Sequence, residues 1–434
     1  MNSKHFISIV IFLFSIANLF GIDLSTKPDN QYIFGNKSEL YVYISIQGGP
    51  APKDVKRRPL NLSIVLDKSG SMSGDKLKYV KQAASFLTDQ LSKSDWLSVV
   101  VYDTTVSVIQ APIRVANKQA IKSKISSIEV GGSTNLSGGM LEGYTLAKIN
   151  YSKDSVNRVL LLSDGLANVG ISDPIKLQEI AKNKSRDQGI SISTFGVGAD
   201  FDEKLMTGIS EYGSGGYYFI DSPDKLSQIF GTELKGLLSV VAQNAKLKIN
   251  FPGSKLRLTN VYGYNHQSDK DDIFVDFKDI FADETKAVLL KFYITDSSSS
   301  IKINSSLIFD DVESLNTVTK ENTVIVSRAQ NEEQYKKGKD AEVEQNILLF
   351  ENNEIIENAT DDVDKNKFDE AKIKLKKSKT RLESVKRTKE LERQYQTIIE
   401  YERKIENIDS MDEQEVKVMQ KANRSENYKM KKKR

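Results

Sequence analysis

Between Leu60 and about Gly231 the chain alternates short apolar runs with stretches of helical periodicity, and few folds accommodate that order. Leu60–Leu66, Trp96–Tyr102, Asn157–Ser163, Ile190–Val197 and Tyr217–Ile220 read as strands. Between them, Gly74–Leu91, Gly139–Asn150, Asp173–Gln188 and Pro223–Leu234 read as helices. The first of these carries Leu77, Val80, Ala84, Leu87 and Leu91 at helical spacing. Repeated β-α units predict a doubly wound, mostly parallel sheet covered by helices on both faces, with right-handed crossovers.

The chemistry stands where strands end. Asp67-Lys68-Ser69-Gly70-Ser71 follows the first apolar run and offers one carboxylate and two hydroxyls at alternate positions. These are hard oxygen donors suited to Mg2+ or Mn2+, and Gly70 is expected to permit a tight turn. A plain polar turn has the same composition. Two further segments favour the metal. The run Asn157–Ser163 ends in Asp164-Gly165, and the glycine-rich loop Gly131–Gly139 contains Thr134. In open α/β sheets, ligands bind in the crevice at the carboxyl ends of the strands, where these segments would meet.

Asp67, Ser69, Ser71, Thr134 and Asp164 match, in order and residue by residue, the pattern of the von Willebrand factor type A domain and its metal-ion-dependent adhesion site. The chain resembles that family, whose sheet is Rossmann-like. The resemblance implies that Ser69, Ser71 and Thr134 contact a divalent cation, with Asp67 and Asp164 acting at least partly through water. Mg2+ takes six oxygens. The position left open would accept an Asp or Glu carboxylate of a protein partner. The expected function is cation-dependent protein–protein binding without catalysis. The resemblance also points to the helix Pro223–Leu234 as a segment that moves. Near the site, Asp75 reads as a helix-start acid and Asp103 as a turn acid. Asn135 and Asn168 have no assignable ligand role.

At 434 residues the chain has room for two or three domains. Residues 1–21 read as a signal peptide, with Lys4 before the apolar stretch Phe6–Phe20 and cleavage after Ala17 or Gly21. An uncleaved anchor is the alternative. Residues 22–58 are strand-rich, and the resemblance implies that 59–234 form the type A domain. Residues 235–328 are again strand-rich, at Ala245–Phe251, Leu256–Tyr264, Ile273–Phe277, Ala287–Thr295, Ser300–Phe309 and Thr323–Val326. The two strand-rich parts are expected to build one β-sandwich into which the α/β unit is inserted, a plan similar to that of inter-α-trypsin-inhibitor heavy chains. Residues 329–434 are charged and helical, with Ser410 and Glu413 as a capping box before the last helix and a basic tail. They read as a bundle packing on itself or on the sandwich, or as a repeat-like pair that docks a partner.

Composition removes several function classes. With no cysteine there are no disulfides, thiol nucleophiles, Cys-ligated zinc or cysteine-linked lipid. His5 and His266 are the only histidines, which leaves little for a Ser–His pair or a histidine zinc site. No P-loop occurs. An aspartyl phosphotransferase of the haloacid-dehalogenase type would use Asp67, but its second Asp is replaced by Ser69. A net charge of +3 does not suggest nucleic acid. No segment after the signal is expected to span a membrane, so the mature chain is read as periplasmic, secreted or surface-associated. A structural scaffold acting through the C-terminal helices is the rival reading.

Overall fold

The computed structural model describes residues 21–51, 57–164, 167–222 and 225–432. The leader reading (apart from Gly21), Gly165, Pro223 and the last two residues of the basic tail lie outside them. Three strands come first: β1 (Asp23–Pro28), β2 (Tyr32–Ile33) and β3 (Glu39–Gln47). Alternate β3 residues face two different cores. Leu40, Val42, Ile44 and Ile46 point into a sandwich. Tyr41 and Tyr43 point the other way, into an apolar cluster shared with Val343 and Phe350.

The α/β unit follows, with β4 (Leu60–Asp67), α1 (Asp75–Gln90), β5 (Trp96–Tyr102), β6 (Val106–Arg114), α2 (Lys118–Ser126) and α3 (Leu136–Ile149). It continues through β7 (Val156–Ser163), α4 (Pro174–Gln188), β8 (Ser191–Val197), α5 (Glu203–Tyr212), β9 (Tyr217–Ile220) and α6 (Leu226–Leu238). The sheet order is β6-β5-β4-β7-β8-β9. All neighbours are parallel except the β5–β6 pair at one edge. Every residue of β4 and β7 is buried, because helices cover both faces. Leu62, Ile64 and Leu66 pack beneath α1 and α6, and Val65 packs on the opposite face with Met140 and Tyr144 of α3.

The sandwich resumes with β10 (Val240–Asn250), β11 (Leu256–Tyr262), β12 (Gln267–Asp269), β13 (Asp272–Phe281), β14 (Thr285–Ile294), β15 (Ile301–Asp311) and β16 (Thr317–Arg328). Its sheets run β1-β3-β14-β11 and β12-β13-β10-β15-β16-β2. The antiparallel β3–β14 and parallel β16–β2 pairings join strands on either side of the α/β unit, which is therefore an insertion between β3 and β10. Arg158, at the start of β7, ties the insertion to its host. Its guanidinium is 2.7 Å from Asp279 of β13 and donates to Ser193 at 3.1 Å, while Glu233 of α6 lies 3.9 Å away, all buried.

The C-terminal helices are α7 (Glu332–Lys337), α8 (Ala341–Asp364), α9 (Phe368–Glu383), α10 (Lys389–Glu406) and α11 (Glu413–Lys431). They share a core of Leu349, Ile356, Leu375, Leu391, Ile398 and Ile405. They pack on the sandwich and also on the α/β unit, the second of which the sequence did not suggest. Tyr428 of α11 meets Tyr217 of β9 edge-on at 5.6 Å, and Lys421 donates to the Phe201 carbonyl at 2.7 Å. The capping box opening α11 is Asp412 with Glu415, not Ser410 with Glu413. A short 3-10 turn, Ile408–Ser410, holds Ser410 before the cap. Strand β6 and helices α2 and α5 were not read from the sequence. β6 is an edge strand with few buried side chains, so it lacks the clean alternation that marks a strand. Among the described residues no helix is long and apolar enough to cross a membrane.

Candidate metal centre

The parallel register brings the ends of β4, β5 and β7 side by side, with Asp67 opposite Tyr102 and Leu66 opposite Leu162. Asp67 is fully buried and held from several directions. Its Oδ1 accepts the Ser69 backbone N–H at 2.9 Å. Its Oδ2 accepts Ser163 Oγ at 2.6 Å and the Tyr102 hydroxyl at 3.2 Å. Gly139, at the start of α3, makes room for that tyrosine, since a Cβ there would lie 2.3 Å from its ring. Burial pushes the Asp67 carboxyl above its usual value, against the hydrogen bonds from Ser163 and Ser69, and the charge of Asp164 adds to the rise. Nothing in the sequence marked Ser163 or Tyr102 as its partners, although each ends a legible strand.

Three loops are then laced together through backbone groups. Gly131 N–H donates to the Lys68 carbonyl at 2.6 Å, and Gly70 N–H to the Gly132 carbonyl at 2.7 Å. Gly70 does not take a positive φ, contrary to the expectation of a special turn conformation; it opens a 3-10 turn and supplies this interloop bond. On the other side, Thr134 N–H donates to the Asn168 side-chain carbonyl at 2.8 Å, and the Thr134 carbonyl accepts from Asn168 and Val169 at 3.1 Å each. Asn168 therefore fixes the threonine loop. Asn135 caps α3 by accepting from Gly138 at 2.9 Å. Asp103 is a turn acid, accepting from Thr105 at 2.7 Å, and it also pairs with Lys68 on the rim. Burial opposes its ionisation, but the bonds from Lys68 and Thr105 prevail and lower it to about 2. Asp75 stands exposed in the first turn of α1.

The five candidate ligands thus lie on three adjoining loops. Ser69 and Ser71 turn their hydroxyls toward one another, 3.2 Å apart. Neighbouring ligands in an Mg2+ octahedron with bonds of about 2.1 Å are separated by about 3 Å, so this spacing suits two adjacent ligand positions. Asp67, Ser69, Thr134 and Asp164 are buried, whereas Ser71 is exposed and marks the open side. Asp164 Oδ1 has no accessible surface and no hydrogen-bond partner among the described residues. A buried carboxylate oxygen without a partner is costly, and a cation would relieve it. Oδ2 of the same carboxylate lies 3.2 Å from Lys76 Nζ of α1, a neighbour the sequence reading passed over. Among the described residues there is no cluster of three or more Asp, Glu, His or Cys that could hold a metal. The donor set here fits a hard cation through hydroxyls and two carboxylates instead.

Residues 61–232 match the family model of the von Willebrand factor type A domain. Over 258 residues the chain is 31% identical to uncharacterized protein YfbK of Escherichia coli (strain K12), covering 57% of this chain and 45% of that protein. It is 32% identical over 143 residues to human inter-alpha-trypsin inhibitor heavy chain H3, covering 31% of this chain and 16% of that one. The chain spans under half the length of these curated relatives. Two solved structures extend the likeness in fold beyond the α/β unit. A von Willebrand factor type A structure from Catenulispora acidiphila superposes with a TM-score of 0.71 at 13% identity, over 90% of this chain and 91% of that one. The ArnB paralog VWA2 from Sulfolobus acidocaldarius gives 0.64 at 17% identity, over 95% and 98%. The family match lies on the very segment that the strand pairing sets apart as an insertion, so residues 61–232 are the part of the chain that is similar to a von Willebrand factor type A domain.

Proposed function

We propose that this protein binds another protein in a divalent-cation-dependent manner, through a metal-ion-dependent adhesion site built by Asp67, Ser69, Ser71, Thr134 and Asp164. The observation that carries this reading is Asp164, fully buried, with one carboxylate oxygen lacking any partner among the described residues, beside hydroxyls spaced as neighbouring ligands. Mg2+ or Mn2+, when bound, would supply an electrophilic position able to take up an Asp or Glu carboxylate of the partner. The protein's own part is to hold three uncharged hydroxyls and two carboxylates in fixed loops and to leave the Ser71 side open to solvent. No bond is made or broken in this reading. An extracytoplasmic location accords with the apolar N-terminal stretch Phe6–Phe20.

Isothermal titration of Mg2+ and Mn2+ into the protein tests it, alongside Asp67→Ala and Asp164→Ala. One site lost in both variants is the expected result. Metal uptake unchanged by either substitution would sink the reading.

A further inference from the structure

Lys76 stands where a second cation is unwelcome. Its ammonium lies 3.2 Å from Asp164 Oδ2 and 3.8 Å from Asp200 Oδ2, and its side chain is only 20% exposed. It is not a waving surface lysine. Gly198, at the exit of β8 with φ +77°, leaves the space its alkyl chain fills, since a Cβ there would sit 2.6 Å from Lys76 Cε. Lys68 pairs with Asp103 on one side, and on the other Lys417 of α11 lies 2.8 Å from Glu413 and 3.5 Å from Asp200, so Asp200 is shared between Lys417 and Lys76. The charges at the centre of the site are Asp67, Asp164 and Lys76, with Asp200 at its edge.

On the metal-binding reading above, we propose that Lys76 is a built-in competitor for the cation, and that it makes cation and acidic partner bind as a pair rather than one after the other. Two carboxylates and one ammonium leave a single negative charge. A divalent cation turns this into a single positive charge at a buried site, which is unfavourable. A partner's carboxylate returns the sum to zero. Lys76 thus weakens the cation alone and strengthens the acid once the cation is present, a positive coupling that must run equally in both directions. Asp200 is the alternative anchor to which Lys76 can shift when Asp164 turns to the metal. A site without this lysine would load metal readily and hold an acid less well.

The test is Mn2+ binding to the full chain, by calorimetry or by the electron paramagnetic resonance of free Mn2+, with and without excess acetate as the carboxylate probe. Lys76→Met should tighten Mn2+ binding by roughly tenfold or more in the absence of acetate. Acetate should improve Mn2+ binding more in the wild type than in Lys76→Met. Asp200→Asn should weaken Mn2+ binding in the wild type and have a smaller effect in the Lys76→Met background, since it acts through Lys76. Thermal melting of each variant checks folding, and Lys76→Gln takes the place of Lys76→Met in every arm if the latter folds poorly. Wild-type binding that Asp67→Ala abolishes but Lys76→Met leaves unchanged or weaker would overturn this inference and leave the metal site standing. Absence of Mn2+ binding in both wild type and Lys76→Met, with acetate present, would remove the metal site and this inference together.

Discussion

Glu203 makes the seam between α5 and α11 sensitive to pH. It is buried, at 6% exposure, and accepts the Tyr217 hydroxyl at 3.0 Å through Oε1. Its Oε2 has no hydrogen-bond partner among the described residues, because Arg424 Nη1 lies 3.6 Å away, too far to donate well. Arg424 is turned instead toward Asp361 at 2.8 Å and toward Asp364. Burial raises the Glu203 carboxyl from the usual 4.5 to about 7, more than Arg424, Lys421 and Tyr217 can offset, and Asp364 adds to the rise. The folded state therefore holds a proton here that the unfolded chain gives up between pH 4.5 and about 7. Stability associated with this group is fully present below pH 4.5 and is lost as pH rises to about 7. From the ratio of the two acid constants, the loss is about 3 kcal/mol. Glu203→Gln keeps the shape and an acceptor for Tyr217 without the charge. At pH 8 it should stabilise the seam by up to about 3 kcal/mol, and the dependence across this window should flatten. Global denaturation of a chain with several units is not two-state, so the readout is native-state hydrogen exchange of amides in α5 and α11, corrected for the intrinsic pH dependence of exchange. Protection in the wild type should fall from pH 5 to pH 8 relative to the variant. Parallel profiles, or a variant less protected at pH 8, would refute the argument and show that attraction to Arg424 outweighs burial.

Two other substitutions probe the joints of the fold. Arg158→Met leaves Asp279 and Glu233 buried without their cation and should destabilise the junction of insertion and sandwich by about 3–5 kcal/mol. Pairing it with Asp279→Leu should recover part of that loss, as read by native-state hydrogen exchange of amides in β7 and β13. Asn168→Ala leaves the Thr134 N–H without its acceptor, at about 1–3 kcal/mol for a buried donor. On the metal-binding reading it should weaken Mn2+ uptake in a titration more than it lowers the melting temperature, and an unchanged affinity would show that the threonine loop is fixed without Asn168.

Features legible in the sequence are those that a short window contains. Strands β4 and β7 are apolar at nearly every position because both faces are covered, and the alternation of β15 follows from one buried face. The insertion could be suspected because strand-rich segments flank the α/β unit, and the β3–β14 pairing supplies its physical basis. Harder to read is anything settled between distant segments. β6 gains its place by pairing with β5 at an open edge, not by burying an apolar face. The capping residue of α11 was misplaced by two positions because Ser410 and Asp412 are both good caps and only the 3-10 turn before them decides.

The candidate site divides in the same way. Its oxygen donors are written in three local patterns, so they could be named from the chain alone. Their electrostatic setting is not local. Ser163 reaches Asp67 across 96 positions, Lys76 reaches Asp164 across 88, and Lys417 reaches Asp200 across 217. Each of these bonds exists because parallel strands, or a helix returning from the C-terminus, deliver two remote segments to one edge of the sheet. Donor identity decides whether a hard cation can be held at all. On the proposal made for Lys76, the charge balance set by Lys76, Asp200 and the start of α11 would decide how firmly, and whether the cation comes alone or with an acid. On the metal-binding proposal, a helix some 280 residues further along the chain than Thr134 would then help to set the cation affinity of donors that are all written locally.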